Sequence, residues 1–273
     1  PLDLAPILRD DLFKRAATTV VTSATLAADG KFEFLTKRLG LNDPELEPHT
    51  GIYPSPFRYR EQAILAIPGE VPAPNVNAAG HASAVAQIAM DVAAAANGGM
   101  FVLFTSHRDV RAMASELRAR GIDRRWPLLV HGDESRDALL ARFRDTGNAV
   151  LLGTSSFWEG VDVPGDALRA LLIAKLPFRV PTEPITAANC EAIAAAGGDA
   201  FREYMLPHAS LRLKQGFGRL IRSSADRGVV VIADSRVVTK GYGRGLLEGL
   251  PPAKRVVGRW NDLLLTIQSF YQQ

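Results

Sequence analysis

Residues 100–121 read MFVLFTSHRDVRAMASELRARG, and this stretch decides the fold class. Met100 to Phe104 is an unbroken apolar run. It is too short for a helix and lacks the alternation of a strand with one wet face, so it predicts a strand over 100–105 buried on both faces. Ser106 follows as a natural N-cap. Val110, Met113 and Leu117 then recur at helical spacing, and Gly121 ends the pattern, which predicts a helix over 107–120. A doubly buried strand followed by an amphipathic helix is the building unit of a parallel sheet covered by helices.

The unit repeats on both sides. Short runs rich in Val, Leu and Ile predict further strands at 18–23, 63–67, 128–130, 149–152, 170–175, 229–233 and 255–257. A helix is predicted over 81–96, with Val85, Ile88, Ala89 and Val92 on one face and a stop at Asn97-Gly98-Gly99. The expected class is α/β, three layers, with a mainly parallel sheet flanked by helices. Pro44, Pro48, Pro54 and Pro56 mark 42–61 as a linker or irregular crossing. We therefore expect a boundary near residue 48, giving segments 1–47 and 48–273. The first, read as one strand and two helices, is too small to stand alone and reads as the tail of a preceding domain. With its opening Pro1-Leu2-Asp3, the sequence is expected to be part of a longer protein.

Composition sets the outer bounds. The chain has 273 residues, 47% hydrophobic and 22% charged, ordinary for a globular protein able to bury a core. No apolar stretch is long enough to span a membrane, and 1–16 do not read as a signal peptide. The lone Cys190 excludes a disulfide framework and any all-cysteine metal site within these residues. A buried or incidental thiol is the simple reading of Cys190, and a cytoplasmic compartment is expected. The five histidines (His49, His81, His107, His131, His208) are scattered, and none is read as a metal ligand. Charge is uneven: residues 205–259 hold eleven Lys/Arg against three acids, net +8 in a chain of total +3, which leaves the remainder at −5. A cationic region of this kind fits a polyanionic partner such as nucleic acid or nucleotide phosphate, or simply a solvated basic surface.

Ligands of parallel α/β sheets gather at the carboxyl ends of strands. The richest segment for chemistry is 208–222. Gln215, Arg219 and Arg222 are spaced four and three, so they fall on one helix face, with Leu213, Phe217 and Leu220 roughly opposite. Gly216 and Gly218 between them each cost about 1 kcal/mol in a helix, so a close backbone approach is expected there, from a nucleotide or another domain. Two guanidiniums facing one way suit phosphate oxygens; a solvated amphipathic helix is the bland alternative.

Gln215-Gly-Phe-Gly218-Arg219-Leu-Ile-Arg222 resembles motif VI of superfamily 2 helicases, Q-x-x-G-R-x-x-R. Other segments fall in the family's order. Ser23-Ala24-Thr25 resembles motif III, Phe104-Thr105-Ser106 motif IV, and Gly153-Thr154-Ser155-Ser156-Phe157-Trp158-Glu159-Gly160-Val161-Asp162 motif V of the DinG/XPD group. Lys175-Leu176-Pro177-Phe178, then Asp234-Ser235-Arg236 and Gly241-Tyr242-Gly243, resemble further elements of that group. The resemblance implies a RecA-like fold. It also implies the second motor domain of an ATP-dependent DNA helicase, with residues 1–47 as the tail of the first motor domain. Arg222 is then the main arginine finger to the γ-phosphate, assisted by Arg219 and Gln215. Glu159, Gly160, Asp162 and Gly218 lie on the nucleotide side. Thr105, Ser106, Thr154, Ser155, Ser156, Phe178 and Arg179 contact single-stranded DNA, and Ser23, Ala24 and Thr25 couple nucleotide state to DNA grip. Ser106 is also a helix cap, and the two roles are compatible. For Trp158, Phe178 and Tyr242, packing stands beside stacking on a base.

The departures from the family pattern are as informative. No G-x-x-x-x-G-K-[ST] occurs, since Gly30-Lys31 lacks the upstream glycine, and Asp133-Glu134-Ser135 runs into Arg136 rather than forming D-E-x-H. The four cysteines of an iron–sulfur cluster, possible in a full-length relative, are absent. ATP with magnesium is thus expected to bind mainly in the first motor domain, and residues 1–273 alone are expected to show no ATPase. The rival expectations are a nucleic-acid-binding module without catalysis and a nuclease-linked protein that does not unwind.

Overall fold

Of the eight apolar runs, seven become strands; six offer buried side chains to both faces of one sheet, and the seventh joins it as an edge. The computed structural model describes residues 3–23, 25–27, 30–158, 163 and 165–272. The strands are β1 (Ala63–Pro68), β2 (Met100–Leu103), β3 (Leu128–Val130), β4 (Val150–Gly153), β5 (Ala170–Ile173), β6 (Gly228–Ile232) and β7 (Lys254–Gly258). Their order is β3-β4-β2-β5-β6-β1-β7, and every pairing is parallel. In register, Val102 of β2 faces Leu152 of β4 and Leu172 of β5.

The longer helices, in chain order, are α1 (Glu33–Leu39), α2 (Ala78–Ala95), α3 (His107–Ala119), α4 (Arg136–Thr146), α5 (Pro184–Ala195), α6 (Leu206–Phe217), α7 (Gly243–Glu248) and α8 (Trp260–Gln272). Side chains alternate across the sheet. Met100, Val102 and Phe104 join Val85, Ile88 and Val92 of α2, Val110, Met113 and Leu117 of α3, and Leu263 and Ile267 of α8 in one core. Phe101 points the other way, its ring 4.6 Å from Phe143 of α4 and 6.3 Å from Phe157. Helices therefore cover both faces, and the sheet has no wet side except at edge strand β7, whose residues are half-buried or exposed.

The chain divides into two compact units. The larger, residues 56–177 and 215–273, holds the whole sheet. The smaller gathers residues 1–55 with 178–214, so the segment that follows the 177–178 boundary and leads into α6 belongs with the N-terminal part; a cut near residue 48 does not include it. In the smaller unit, α1 ends at Gly40, which has φ +73 and lies so close to the Ala5 carbonyl oxygen that a Cβ there would sit 2.3 Å from it. Only glycine fits this turn without strain. Arg9 and Lys14 both reach Asp43, at 3.6 Å each, tying the start of the unit to the stretch after α1.

Two expectations are corrected. Residues 18–23 are not a strand: Val20 and Val21 are exposed, and among the described residues no strand lies beside them to accept their backbone hydrogen bonds. The 42–61 crossing also stops short, since residues 59–62 form a helical turn with buried Tyr59 and Gln62 that runs into β1. Among the described residues no helix is long and apolar enough to cross a membrane.

Candidate functional site

Sheet order brings the carboxyl ends of β3, β4 and β2 side by side. Ser106 caps α3, its Oγ accepting the Asp109 N–H at 3.1 Å, with half-buried Thr105 just before it. Thr154, directly after β4, is buried, and its hydroxyl lies 2.9 Å from Nδ1 of His131, the residue after β3. The His131 ring stands 4.5 Å from that of His107 and 4.8 Å from Phe157. Burial, then the charges of His107 and Arg136, hold His131 below the ordinary imidazole range, so it is neutral at neutral pH. Arg136, at the start of α4, donates from Nε to the Ser156 carbonyl at 3.0 Å, and Lys175, beyond β5, pairs with Asp109 at 2.8 Å.

Of the expected nucleic-acid contacts, Thr105, Ser106, Thr154, Ser155 and Ser156 thus share one edge, with Ser156 exposed. The Thr154 hydroxyl is committed to His131 instead of facing solvent. Sequence reasoning missed His107, His131 and Arg136. Their only signal is their position just after strands or at helix starts, and it becomes usable once the strand order is known.

The arginine segment differs from the single helix face expected of it. α6 ends at Phe217, and the Arg219 and Leu220 N–H groups close back onto the Gly216 and Phe217 carbonyls at 3.1 Å each. Gln215 lies in the last turn of the helix, while Gly218 and Arg219 fall in the turn after it and Arg222 beyond that. The reason is local: Gly216 and Gly218 are poor helix formers, so the helix stops between them. At Gly216 the close neighbour is the indole of Trp158, from the same unit. A Cβ there would stand 2.9 Å from Cε3 of Trp158, which is itself 1% exposed, so Trp158 is a packing residue.

Past the helix, Arg219 donates from Nε to the Trp158 carbonyl at 3.4 Å and Arg222 from Nε to the Arg219 carbonyl at 3.3 Å. Asp226 accepts the N–H groups of Arg222 and Ser223 at 2.7 and 2.8 Å and the Ser223 hydroxyl at 2.8 Å. Gln62 in turn donates to the Ser223 and Asp226 carbonyls, both at 2.9 Å. Burial lowers the Arg222 guanidinium from its usual range and Asp226 opposes that shift. The result is a closed turn that presents two cations from a fixed backbone.

Further along, Asp234 is fully buried and accepts the N–H of Leu176 at 2.9 Å and the side chain of Arg236 at 2.9 and 2.6 Å, a clamp that holds the chain leaving β5. In the smaller unit, half-buried Phe178 lies 5.6 Å from the Phe201 ring, and the Arg179 guanidinium stands 5.8 Å from the Tyr204 ring. There the exposed Ser23 Oγ accepts the Thr25 N–H at 3.3 Å. Ala24, Glu159, Gly160 and Asp162 lie outside the described residues. Among the described residues no three His, Cys, Asp or Glu side chains are grouped to hold a metal.

Comparison with known proteins fits this arrangement. The profile of the helicase C-terminal domain matches residues 89–253, more than half of the chain. The ATP-dependent DNA helicase YoaA of Escherichia coli (strain K12) is 41% identical over 255 residues, which cover 93% of this chain and 39% of that protein. The ATP-dependent helicase DinG of Mycobacterium tuberculosis (strain H37Rv) is 40% identical, covering 92% and 37%. The 3′-5′ exonuclease DinG of Bacillus subtilis (strain 168) is 39% identical, covering 92% and 27%. The chain therefore spans well under half the length of these relatives. Among solved structures, an XPD helicase superposes with a TM-score of 0.55 at 16% identity, over 72% of this chain and 35% of that one, a likeness of fold that makes the sheet RecA-like. The chain belongs to the helicase C-terminal domain family, and its sequence is similar to part of the DinG and YoaA proteins.

Proposed function

We propose that the chain is the second motor half of an ATP-dependent DNA helicase. Residues 1–47 are the tail of the first motor domain and 48–273 the second. ATP, with its magnesium, is held mainly by the first domain. On closure, Arg222 meets the γ-phosphate, with Arg219 and Gln215 beside it and Glu159, Gly160, Asp162 and Gly218 on the same side. The guanidiniums offset charge that develops on the transferring phosphoryl oxygens, a contribution of about 10³-fold or more in rate. Thr105, Ser106, Thr154, Ser155 and Ser156 on the carboxyl edge contact single-stranded DNA, and Phe178 and Arg179, within the smaller unit, make contacts of their own. Ser23, Ala24 and Thr25 transmit the nucleotide state.

The observation that carries this reading is the closed turn 222–226, which fixes the backbone of Arg222 through Asp226 and Gln62 while leaving its guanidinium half-buried. The test is DNA-stimulated ATPase of the full-length protein with and without Arg222→Ala. Turnover should fall by about 10³-fold, while single-strand affinity and thermal midpoint stay close to wild type. Wild-type turnover in the variant rejects the finger. Residues 1–273 alone should not hydrolyse ATP.

A second reading is favoured by the Bacillus subtilis relative, which is named an exonuclease. On that reading the half-motor of this chain serves a linked nuclease without unwinding. A strand-displacement assay beside a nuclease assay on the full-length protein separates the two.

A further inference from the structure

One cationic cluster lies away from the sheet edge, inside the smaller unit. Tyr204 is buried at its centre. The guanidinium of Arg179 stands 5.8 Å from the Tyr204 ring, and that of Arg38 stands 5.8 Å from the same ring and 5.7 Å from Phe34. His208 completes the floor, its ring 4.6 Å from Tyr204 and 5.0 Å from Phe34, edge-on to both. Two buried polar atoms here have no hydrogen-bond partner among the described residues, Nε of Arg179 and Nε2 of His208. Arg38 and Arg179 also form no ion pair among those residues. The nearby Glu203 is instead engaged with Lys37 at 3.4 Å and with the Asp199 N–H at 3.0 Å.

Buried donors are almost always satisfied, so two orphans against one ring point to a missing acceptor. The field agrees. His208 is driven down to about 3 by burial first and then by the positive charges of Arg179, Arg38 and Arg212. Burial alone would favour no charge of either sign; it is the three guanidiniums of Arg179, Arg38 and Arg212 around the ring that favour an anion there. Guanidiniums match the oxygens of phosphate with paired N–H groups, and an aromatic floor beside them offers a face to a neighbouring base.

We propose that Arg38, Arg179 and His208, seated on Tyr204 and Phe34, form a phosphate-binding site. Its occupant is a phosphate group of a single strand or of a nucleotide. Nε–H of Arg179 and Nε2–H of the neutral His208 donate to its oxygens, and the exposed Arg38 closes over it from solvent. The proposal deepens the nucleic-acid reading of Arg179, on which it rests for the choice of strand over nucleotide, and adds Arg38 and His208, which that reading does not contain.

The experiment uses the full-length protein and the variants Arg38→Ala and His208→Gln. Arg38 is exposed, so its truncation leaves the fold in place, and glutamine keeps a side-chain donor near Nε2. Binding of a labelled oligo-dT and of ATP is measured by anisotropy across a salt series, and inorganic phosphate is titrated while His208 is followed by nitrogen NMR. Arg38→Ala should weaken oligo-dT about tenfold and reduce the salt slope by about 0.7, the value for one lost contact to a single strand. Phosphate should shift the His208 resonance. If ATP binding falls instead, the site stands and its phosphate belongs to the nucleotide. If the wild-type protein ignores oligo-dT, the nucleic-acid reading fails while the ATP and phosphate arms still decide the site. Unchanged affinities for both ligands in Arg38→Ala, with no phosphate response at His208, overturn the proposal.

Discussion

Replacing Gly216 with Ala sets two effects of opposite sign against each other. Alanine improves the last turn of α6, by at most about 1 kcal/mol and by less near a helix end. The new methyl would stand 2.9 and 3.0 Å from Cε3 and Cζ3 of Trp158, with Leu103 Cδ1 at 3.9 Å behind. Trp158 is 1% exposed and cannot swing away, so the methyl overpacks the core at a cost of about 1–3 kcal/mol. Sterics win, and the variant should lose about 1–2 kcal/mol. In a Trp158→Leu background the six-membered ring is gone, and the same change should instead gain about 0.5 kcal/mol. The coupling energy is then about 1.5–2.5 kcal/mol, within the range for residues in contact. Urea unfolding of the four proteins measures it from midpoint shifts at constant slope. A Gly216→Ala effect equal in both backgrounds, within about 0.5 kcal/mol, would refute the argument that the indole imposes glycine here. Because the Trp158 carbonyl accepts from Arg219, the single variant should also lower ATPase in the full-length protein.

Asp234→Ala should destabilise the fold by about 2–3 kcal/mol, since it removes the buried acceptor of the Leu176 N–H and of the half-buried Arg236 side chain; urea denaturation reads this directly. Thr154→Val should cost about 1–2 kcal/mol by removing the hydroxyl partner of His131 Nδ1, and the imidazole resonance of His131 in NMR should move with it. Acid should weaken the protein through His208. Its folded pKa of about 3 lies below the unfolded value, so the unfolded chain alone takes up a proton between about pH 6.5 and pH 3. The stability that neutral His208 contributes is full above that window and lost as pH falls through it. His208→Gln should flatten the acid limb of a melting-temperature profile, and an unchanged profile would show that the imidazole does not titrate as stated.

The sheet was legible because each core strand is a continuous apolar run with a helix between it and the next. Residues 128–130 match β3 end to end, 63–67 differs from its strand by a residue at one end, and 149–152 and 229–233 are each shifted by one residue. Strand order was not legible, since a run such as 170–175 carries no mark of its neighbours. That is why His107 and His131, distant in sequence, were not seen as a pair. Residues 18–23 misled for a related reason: β propensity describes a side chain on a pleated surface, and among the described residues Val20 has no such surface beside it. The spacing of Gln215, Arg219 and Arg222 was read as one helix because periodicity persists past the point where two glycines let the backbone turn. The partner of Gly216 is an indole 58 positions earlier in the chain (216 − 158), and no local pattern announces it.

The small hydrogen-bonded ring around Arg222 bears on timing. Asp226 and Gln62 satisfy the turn from within the larger unit, and Gln62 leads directly into β1, which pairs on both sides in the sheet. Ordering this loop is therefore completed once, when the sheet forms, and would not be repeated in each cycle of the proposed motor. A finger on a slack loop would lose conformational entropy in every cycle, and the rate would carry that loss. On the proposed reading of Arg222, the fold has already met that loss before any nucleotide is bound.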